Sequence, residues 1–564
     1  MNAALPVLGC FVLYALGYLL YSRFLGRRVF GLRRDVKTPA HTLSDGVDYV
    51  PSNRWVLFGH HYASITGLAP MLGPAVAVIW GWLPAMLWVV LGAIFVGCVH
   101  DFGALVVSVR ANGRSIGVVA EGLMGRRAKS LLHAIIFFGI ALAMGVFSFV
   151  IATLFTPAFH PEAVAPSLVI LVLAVCVGWA VRRRGSALGP LVAVAFVVVL
   201  ISVIVAPSIP ILWNSSTGWI WVLLVYAWLA SVLPVWSLLQ PRDFINSLLL
   251  YVGLGLTYVG FFVLRPEFAA PAIASSPAGA PSLFPFVFII IACGAASGFH
   301  SLVSSGTTAK QLDQETDARF IGYGGMVGES LLGLSAVLAC TAGFASSEVW
   351  QDHYNSWGAV QGLGDKIGAF IGGAAKFVSQ LGLPETQSRA LIAVMVVSFA
   401  LTTLDSGTRL LRYNIEEIGQ SLGVAPLSNR YLSSSLAVAS IAFFAFYKID
   451  GQSAGLALWQ LFGSINQMLA GLALLVVALY LIQRRRPYLP YLIPMIFMLT
   501  STLVAMVLKL RDFYSQGLRL LVVVGSIIVA IGVWLVVEAA LALWRFRREG
   551  RVDSLDISLE KGQV

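Results

Sequence analysis

Trp55–Ile79 reads WVLFGHHYASITGLAPMLGPAVAVI, and Phe284–Thr308 reads FPFVFIIIACGAASGFHSLVSSGTT. Each segment is long enough to cross a bilayer, since about 20 helical residues span the hydrocarbon core. Both carry Gly, Ser, Thr and His near the middle, where a simple anchor would carry Leu and Val. Unwound backbone at membrane depth is stable only where protein buries it or where it lines a wet cavity. Two interrupted helices in the two halves of a chain therefore predict the binding site of a transporter.

The composition is that of a polytopic membrane protein. Of 564 residues, 58% are hydrophobic and 11% are charged, and the mean hydropathy is +0.86, a balance that no soluble domain has. The formal net charge is +11, but the basic residues form short clusters between apolar runs. Such clusters set topology and face anionic lipid headgroups, so the membrane lipid is the expected partner and nucleic acid is excluded.

Hydropathy predicts an all-α protein with about fifteen transmembrane helices. The predicted spans lie near 5–24, 55–79, 82–110, 130–156, 166–181, 188–206, 217–239, 244–264, 284–308, 322–345, 388–411, 429–447, 454–482, 488–508 and 518–543. Clusters of Arg and Lys fall in alternate connections, which places the N-terminus outside and the C-terminus inside. The longest loop, about Ser346–Glu385, is then external. Its stretch Gly358–Leu383 is too polar to span and could lie on the surface as a helical lid.

The same topology gives the two broken helices opposite directions, as inverted repeats require. Seven spans separate the two starts, whereas a five-helix repeat needs five, so two helices are insertions, with candidates among 166–264. The expected organisation is an N-terminal helix and cytoplasmic loop, a transport core with repeats starting near 55 and 284, two peripheral helices and a cytoplasmic tail. These parts cover residues 1–54, 55–483, 484–546 and 547–564.

Long motifs in this sequence resemble the carbon starvation protein A (CstA) family. They are DGVDYVPSNRWVLFGHHYASITGLAP (Asp45–Pro70), HDFGALVVSVRANGRSIG (His100–Gly117), LPVWSLLQPRDF (Leu233–Phe244), LFPFVFIIIACGAASGFHSLVSSGTTAKQL (Leu283–Leu312) and IGYGGMVGES (Ile321–Ser330). The resemblance implies a secondary transporter of the bacterial inner membrane, distantly related to the LeuT-like fold. It also implies uptake of pyruvate or peptides when carbon is scarce. Coupling to protons or sodium is implied by the wider fold.

The residues at the two breaks are the predicted substrate site and pathway. Small and hydroxyl-bearing residues suit an unwound segment, and a histidine at membrane depth needs a reason to be there. Adjacent His60 and His61 point about 100° apart, so only one of them is expected to face the pathway. The predicted site residues are His60, His61, Ser64, Thr66, Gly67, Gly294, Ser297, Gly298, His300 and Ser304.

A second set of residues is predicted to carry protons. His100 and Asp101 are adjacent, and a neighbouring acid suits an imidazole to proton relay; Glu329 is an acid inside another span. The alternative is that Asp101 pairs with a basic residue such as Arg110 or Arg114.

Phe399–Arg412 reads FALTTLDSGTRLLR and offers a cation site. Thr402, Thr403, Asp405 and Ser406 supply the oxygen ligands that a hard cation such as Na⁺ prefers. In LeuT-like proteins a hydroxyl pair on the third helix of the second repeat contributes to a sodium site, and the resemblance implies that role for Thr402–Thr403. Two alternatives remain: Asp405 pairs with Arg409 along the helix, or the hydroxyls bind neighbouring helices.

Two function classes follow. A secondary transporter without cofactor fits the broken helices, and a half-helix N-terminus suits a substrate carboxylate. Few acids line the breaks to bind the amine of a peptide, so pyruvate comes first and a short peptide second. The coupling ion is H⁺ or Na⁺, with the proton favoured. The rival class is a membrane redox protein with haem or metal on its histidines; no Cys-based metal motif supports it. The oligomeric state stays open.

Overall fold

The computed structural model describes residues 2–184, 188–274, 277–449 and 452–549, and most of the predicted tail, 550–564, lies outside them. Its helices, numbered here in chain order, are α1 (Ala4–Phe30), α2 (Arg54–Ile65), α3 (Ala69–Trp80), α4 (Trp82–Arg110), α5 (Ile116–Met124), α6 (Arg126–Leu154), α7 (Val164–Arg184), α8 (Leu188–Val205), α9 (Ser216–Val232), α10 (Leu239–Leu264), α11 (Leu283–Ile290), α12 (Gly298–Gly306), α13 (Gly324–Ala342), α14 (Ser347–His353), α15 (Leu363–Ser379), α16 (Glu385–Leu422), α17 (Arg430–Phe446), α18 (Ala454–Gln483), α19 (Leu489–Ser515) and α20 (Arg519–Glu549). A two-stranded ribbon, Lys448–Ile449 with Gln452–Ser453, precedes α18.

Every predicted span coincides with a helix or with a pair of helices separated by a break. In the described ranges, 11 helices are long and apolar enough to cross a membrane, or 12 when the bent pair α2–α3 is one span. The shorter apolar helices α9 and α17 and the second broken pair α11–α12 account for the remaining predicted spans. The all-α membrane fold is confirmed, and the count of fifteen crossings stays a prediction.

Both predicted breaks are present. The first separates α2 from α3 at Thr66–Leu68, where the two helices are bent by 47°. Thr66 leaves the helical region at φ −80° and ψ 87°, and Pro70 restarts the helix in its first turn, where its missing N–H costs nothing. The second break runs over 291–297 between α11 and α12. Gly294 there has φ +87°, a conformation that glycine adopts without steric cost.

Helix contacts occur in corresponding pairs across the two halves. Helix α2 packs on α10 as α11 packs on α18, and α3 packs on α13 as α12 packs on α4. Likewise α17 packs on α6 as α9 packs on α16, while α6 and α16 contact each other at the centre. This pairing matches α9 and α10 with α17 and α18. We infer that α7 and α8 are the two inserted helices.

The predicted external loop, about 346–385, contains the helices α14 and α15. Helix α15 packs on α3, α10, α13 and α16, and buries Ile367, Phe370, Ile371, Phe377 and Val378. It therefore covers one end of the core beside the first broken helix.

Candidate substrate and ion-coupling site

The two broken helices touch each other directly. A Cβ atom added to Gly73 on α3 would lie 2.4 Å from the carbonyl oxygen of Ile290, the last residue of α11. Across the breaks, the corresponding position at Gly294 lies 3.6 Å from the Cα atom of Pro70. Glycine at position 73 therefore allows α3 to pack against the end of α11, and Gly294 places the second unwound segment against the first turn of α3.

We expect Gly73→Ala to lower the thermal unfolding midpoint of the purified protein by several degrees. The added methyl group overlaps a backbone carbonyl that cannot rotate away, and overpacking of this kind costs about 1–3 kcal/mol. Gly255→Ala on α10 is the matched control, because nothing lies within 4 Å of its added Cβ. Equal midpoints for the two variants would show that the helices do not meet in this way.

His60 belongs to a buried charge cluster that joins four helices. Its Nδ1 lies 2.5 Å from Asp243 Oδ2 on α10. Arg242 donates from Nε to Asp243 Oδ1 at 3.0 Å and from Nη2 to Asp405 Oδ1 on α16 at 3.0 Å. Tyr226 on α9 donates to Asp405 Oδ2 at 2.7 Å. Hydrogen bonds to every charged member offset the desolvation that burial imposes.

His61 forms a second polar cluster with residues of α4 and of the segment around α12. Its Nε2 lies 2.9 Å from Asp101 Oδ2, and its Nδ1 lies 2.9 Å from the hydroxyl of Thr308. Ser304 donates to the other carboxylate oxygen of Asp101. Asp101 thus pairs with His61 rather than with the adjacent His100.

His300 forms a third pair, which bridges the second break. Its Nε2 lies 2.9 Å from Glu329 Oε2 on α13, and Glu329 Oε1 accepts the N–H of Gly294 at 3.1 Å. One carboxylate therefore contacts both the unwound segment and the helix that follows it. The His100 ring lies 6.1 Å from the His300 ring. Neither ring nitrogen of His100 has a hydrogen-bond partner in the described part of the chain.

Asn466 on α18 holds the start of α12. Its Oδ1 accepts the backbone N–H of Phe299 at 3.0 Å, and its Nδ2 donates to Ser297 Oγ at 2.9 Å and to Cys293 Sγ at 3.1 Å. A Cβ atom added to Gly298 would lie 2.4 Å from the Asn466 carbonyl oxygen. The amide fills the capping role at this helix N-terminus.

The hydroxyl residues of α16 meet the first broken helix. Thr403 Oγ1 donates to the carbonyl of Ser64 at 3.3 Å, and the hydroxyls of Ser64 and Ser406 lie 2.9 Å apart. Thr402 Oγ1 accepts from Asn246 at 2.9 Å and donates to its own helix. Buried Thr66 Oγ1 has no partner in the described residues, and a Cβ atom on Gly67 would lie 3.0 Å from Thr403 Oγ1.

Two expected ion pairs are wrong. Asp405 pairs with Arg242, and Arg409, four residues further along the helix, pairs with Asp48 at 2.7 Å. Arg110 pairs with Glu315 at 2.7 Å rather than with Asp101. In both cases a partner far away in sequence replaces the local one, since helix packing decides which charges meet.

The segment before α2 forms hydrogen bonds to three other parts of the predicted cytoplasmic face. Asp48 accepts from Arg409 and also from Arg412 Nη2 at 2.9 Å. The carbonyl of Val47 accepts the N–H of Val235 at 3.0 Å, and Tyr49 donates to the carbonyl of Asn112 at 3.1 Å. We call Asp45–Tyr49 the latch, because it joins α16, the connection between α9 and α10, and the end of α4.

A cavity of about 670 Å³, called the vestibule below, lies between the two broken helices and the predicted external loop. Its walls include Gly73 on α3, Cys293 in the second break, Asn466, Trp357, Lys366 and Lys509. None of the ten predicted substrate residues lines it. Asn466 in its wall donates to Ser297 Oγ at 2.9 Å, so the second break lies directly behind this part of the wall.

Sequence reasoning missed Arg242 and Asp243 as site residues. The sequence feature that could have identified them is an adjacent Arg and Asp after a Pro in an otherwise apolar run, at Pro241–Phe244. Arg242 is 1% exposed, so it lies in the core and not at the surface where a topology-setting charge would lie. No group of three or more His, Cys, Asp or Glu residues suited to a metal ion occurs in the described ranges.

The two broken helices are in contact, buried histidine–carboxylate pairs surround them, and the vestibule adjoins them. Together these features define a membrane transporter. The family model for "Carbon starvation protein CstA" matches residues 2–351 and 343–505. The chain belongs to this family, as its motifs predict.

The relatives named in this family are bacterial transporters. The chain is 31% identical to the peptide transporter CstA of Bacillus subtilis, over 96% of this chain and 97% of that protein. It is 32% identical to the peptide transporter CstA of Escherichia coli, over 90% and 81%. It is 30% identical to the pyruvate/proton symporter BtsT of Escherichia coli, over 89% and 81%. This is therefore a multi-pass protein of the bacterial inner membrane.

Solved transporter structures are similar in outline only. Mhp1, a nucleobase-cation-symport-1 family transporter, matches 93% of this chain and 99% of its own at 12% identity, with a TM-score of 0.48. The manganese transporter of Eremococcus coleocola matches 89% and 99% at 14% identity, with a TM-score of 0.46.

Proposed function

We propose that this protein is a secondary active transporter that imports a small carboxylate, pyruvate first, together with a proton. The observation that carries the proposal is the group of three buried histidine–carboxylate pairs around the two breaks: His60–Asp243, His61–Asp101 and His300–Glu329. Buried ionisable pairs of this kind inside the membrane are typical of the proton relays of pumps and transporters. Membership of a family that includes a pyruvate/proton symporter supports the proposal.

The contacts of α16 favour the proton over sodium. Arg242 is bonded to Asp405, so the carboxylate expected to bind a cation is already neutralised by a fixed positive charge. The hydroxyl of Thr402 is engaged by Asn246 and by its own helix. These contacts fit the role of binding helices together, and a second cation next to Arg242 would meet repulsion.

The vestibule favours an anionic substrate. Its lining carries Lys366 and Lys509 against a single acid, Asp512. Burial lowers the pKa of Lys366, on the external helix α15, to about 8, so this lysine is mainly charged at neutral pH. A volume of about 670 Å³ also admits a short peptide. With relatives named peptide transporters, the peptide is the second candidate.

Competition in proteoliposomes tests the substrate. Uptake of labelled pyruvate is expected to fall when unlabelled pyruvate or lactate is added outside and to stay unchanged with trialanine. Inhibition by trialanine together with uptake of labelled trialanine would assign the peptide instead. Vesicles without protein correct for diffusion of the protonated acid.

The coupling ion is tested with a pair of variants at neighbouring positions. We expect His61→Gln to abolish accumulation driven by a proton gradient, since glutamine cannot carry a proton between Asp101 and Thr308. Thr403→Val keeps the shape of the side chain and removes one oxygen that sodium would need. Because the proposed coupling ion is the proton, this variant should alter accumulation less than about twofold. Measurements with proton and sodium gradients imposed in turn separate the two ions. Normal uptake by His61→Gln with a sodium requirement in Thr403→Val would reverse the assignment.

A further inference from the structure

A groove at the predicted cytoplasmic face, far from the transport site, has the features of a ligand site. It lies between the start of α6 and the end of α20 and has a volume of about 480 Å³. Its lining includes Arg126, Arg127, Leu541, Trp544 and Arg545. We propose that this groove binds the phosphate headgroup of an anionic phospholipid. The proposal does not depend on the transported substrate.

The charges of the groove require an anion. Arg126 and Arg127 come from the first turn of α6, and Arg545 comes from a helix more than 400 residues later, so folding has brought like charges together. All three side chains are exposed, and Arg545 reaches the carbonyl of Met124 at 3.5 Å. Guanidinium groups bind phosphate through two parallel hydrogen bonds. Basic pockets at the cytoplasmic ends of transmembrane helices bind lipid headgroups in this way.

The backbone adds further donors at the same place. Helix α6 has 29 residues, and no side chain caps its N-terminus. The residue before it, Gly125, has φ +101°, and a Cβ atom added there would meet nothing within 4 Å. The first N–H groups of the helix therefore have no side-chain partner, and with the positive end of the dipole they lie beside Arg126 and Arg127, which suits a phosphate.

The surroundings select a lipid over a soluble phosphate. Helix α20 exposes Trp534, Val537, Leu541 and Trp544, with relative exposures of 47–56%. Acyl chains can lie along this apolar face while the headgroup occupies the basic end. Tryptophan is typical of the interface between membrane and water.

The single acid of the lining does not neutralise the site. Glu538 is 7% exposed, and its Oε1 already accepts the indole N–H of Trp534 at 3.0 Å. It lies about two helical turns from Arg545. A second carboxylate, Glu121, lies 4.0 Å from Arg126 and is already bonded to Lys129 at 2.7 Å. Three arginines and one lysine against two engaged carboxylates leave the groove with an excess of positive charge.

The test compares purified protein in nanodiscs of phosphatidylcholine with protein in nanodiscs that also contain phosphatidylglycerol. We expect phosphatidylglycerol to raise the thermal unfolding midpoint and to remain bound in native mass spectrometry. In the triple variant Arg126→Gln, Arg127→Gln, Arg545→Gln, the apparent affinity for phosphatidylglycerol should fall at least about tenfold. Inorganic phosphate added to phosphatidylcholine nanodiscs should have no effect.

The matched control removes the same number of exposed charges from α1, as Arg23→Gln, Arg27→Gln, Arg28→Gln. This control should keep the response of the parent protein. The proposal is overturned if both triple variants lose the response equally, which indicates diffuse surface charge, or if the groove variant keeps it. Stabilisation by inorganic phosphate alone would assign the site to a soluble anion. Uptake by the groove variant is measured separately, because its failure bears on transport and not on lipid binding.

Discussion

Glu329→Gln is expected to abolish accumulation of substrate against its gradient while leaving exchange of internal for external substrate intact. Glu329 contacts the unwound segment of the second broken helix, through Gly294 N–H at 3.1 Å, and the helix that follows it, through His300 Nε2 at 2.9 Å. Glutamine keeps the volume and an oxygen for Gly294, but it can neither pair with an imidazolium nor give up a proton. Net uptake must return the carrier without its proton, whereas exchange does not.

The matched control is Glu162→Gln, which makes the same change in the connection between α6 and α7, where Glu162 pairs with His160 at 2.9 Å. Accumulation and exchange of labelled pyruvate are measured in the same proteoliposomes. Loss of both activities by Glu329→Gln in a protein with an unchanged unfolding midpoint would make Glu329 part of substrate binding. Full accumulation would remove it from the proton pathway.

Asp48→Asn is expected to shift the resting protein towards a state open to the cytoplasm. The Asp48 carboxylate joins the latch to Arg409 and Arg412, which are 0% and 1% exposed. Loss of one partner of a buried ion pair costs about 3–5 kcal/mol, and the cost falls only on the state in which the latch is closed. A difference of that size changes a population more than about a hundredfold.

The latch should act independently of pH in the physiological range. Burial raises the pKa of Asp48, but Arg412 and Arg409 together hold it below its usual value. A group with a depressed pKa stays ionised at neutral pH, and its contribution is lost only as the pH falls below the ordinary aspartate range. Acidification within the range in which the protein still transports should therefore not open the inner side, as Asp48→Asn is expected to do.

Thiol labelling measures the latch prediction. The substitution Thr307→Cys is made in protein whose five native cysteines are replaced by Ala, and it places the thiol where α12 ends, at a buried position. This thiol should react faster from the inner side in Asp48→Asn, and accumulation should fall because efflux is faster. Asp48→Glu, which keeps the charge, should restore much of the parent behaviour. Asp35→Asn changes an exposed aspartate of the same connection and should have no effect. Equal labelling rates in Asp48→Asn and the parent would show that the latch does not gate the inner side.

The helices and the two breaks could be predicted from sequence because local rules decide them. Apolar runs of about 20 residues form spans, and Gly294 and Pro70 end or restart helices through their own backbone restrictions. The inserted helices could not be identified from sequence, since α7 to α10 are all apolar. The repeat helices α9 and α10 are distinguished from the inserted helices α7 and α8 by packing, because α9 packs on α16 and α10 packs on α2.

The predicted site residues are buried near the two breaks, but their partners could not be predicted from the sequence. His60, His61, His300, Asp101 and Glu329 are all buried in polar clusters. The partner of each comes from another helix, 29 to 183 positions away in sequence. The periodicity within one helix cannot predict contacts between residues so far apart. Asp405 illustrates the point: the spacing of four suggested Arg409, while tertiary packing supplied Arg242.

The most direct test of proton-coupled carboxylate import is the internal pH of proteoliposomes. The vesicles start with equal pH on both sides and no sodium, carry a pH-sensitive dye inside, and receive pyruvate outside at time zero. We predict internal acidification that requires the protein, saturates with pyruvate, and is absent in Glu329→Gln and in protein-free vesicles. Uptake of labelled pyruvate without any protein-dependent change in internal pH, or only after sodium is added, would contradict the account.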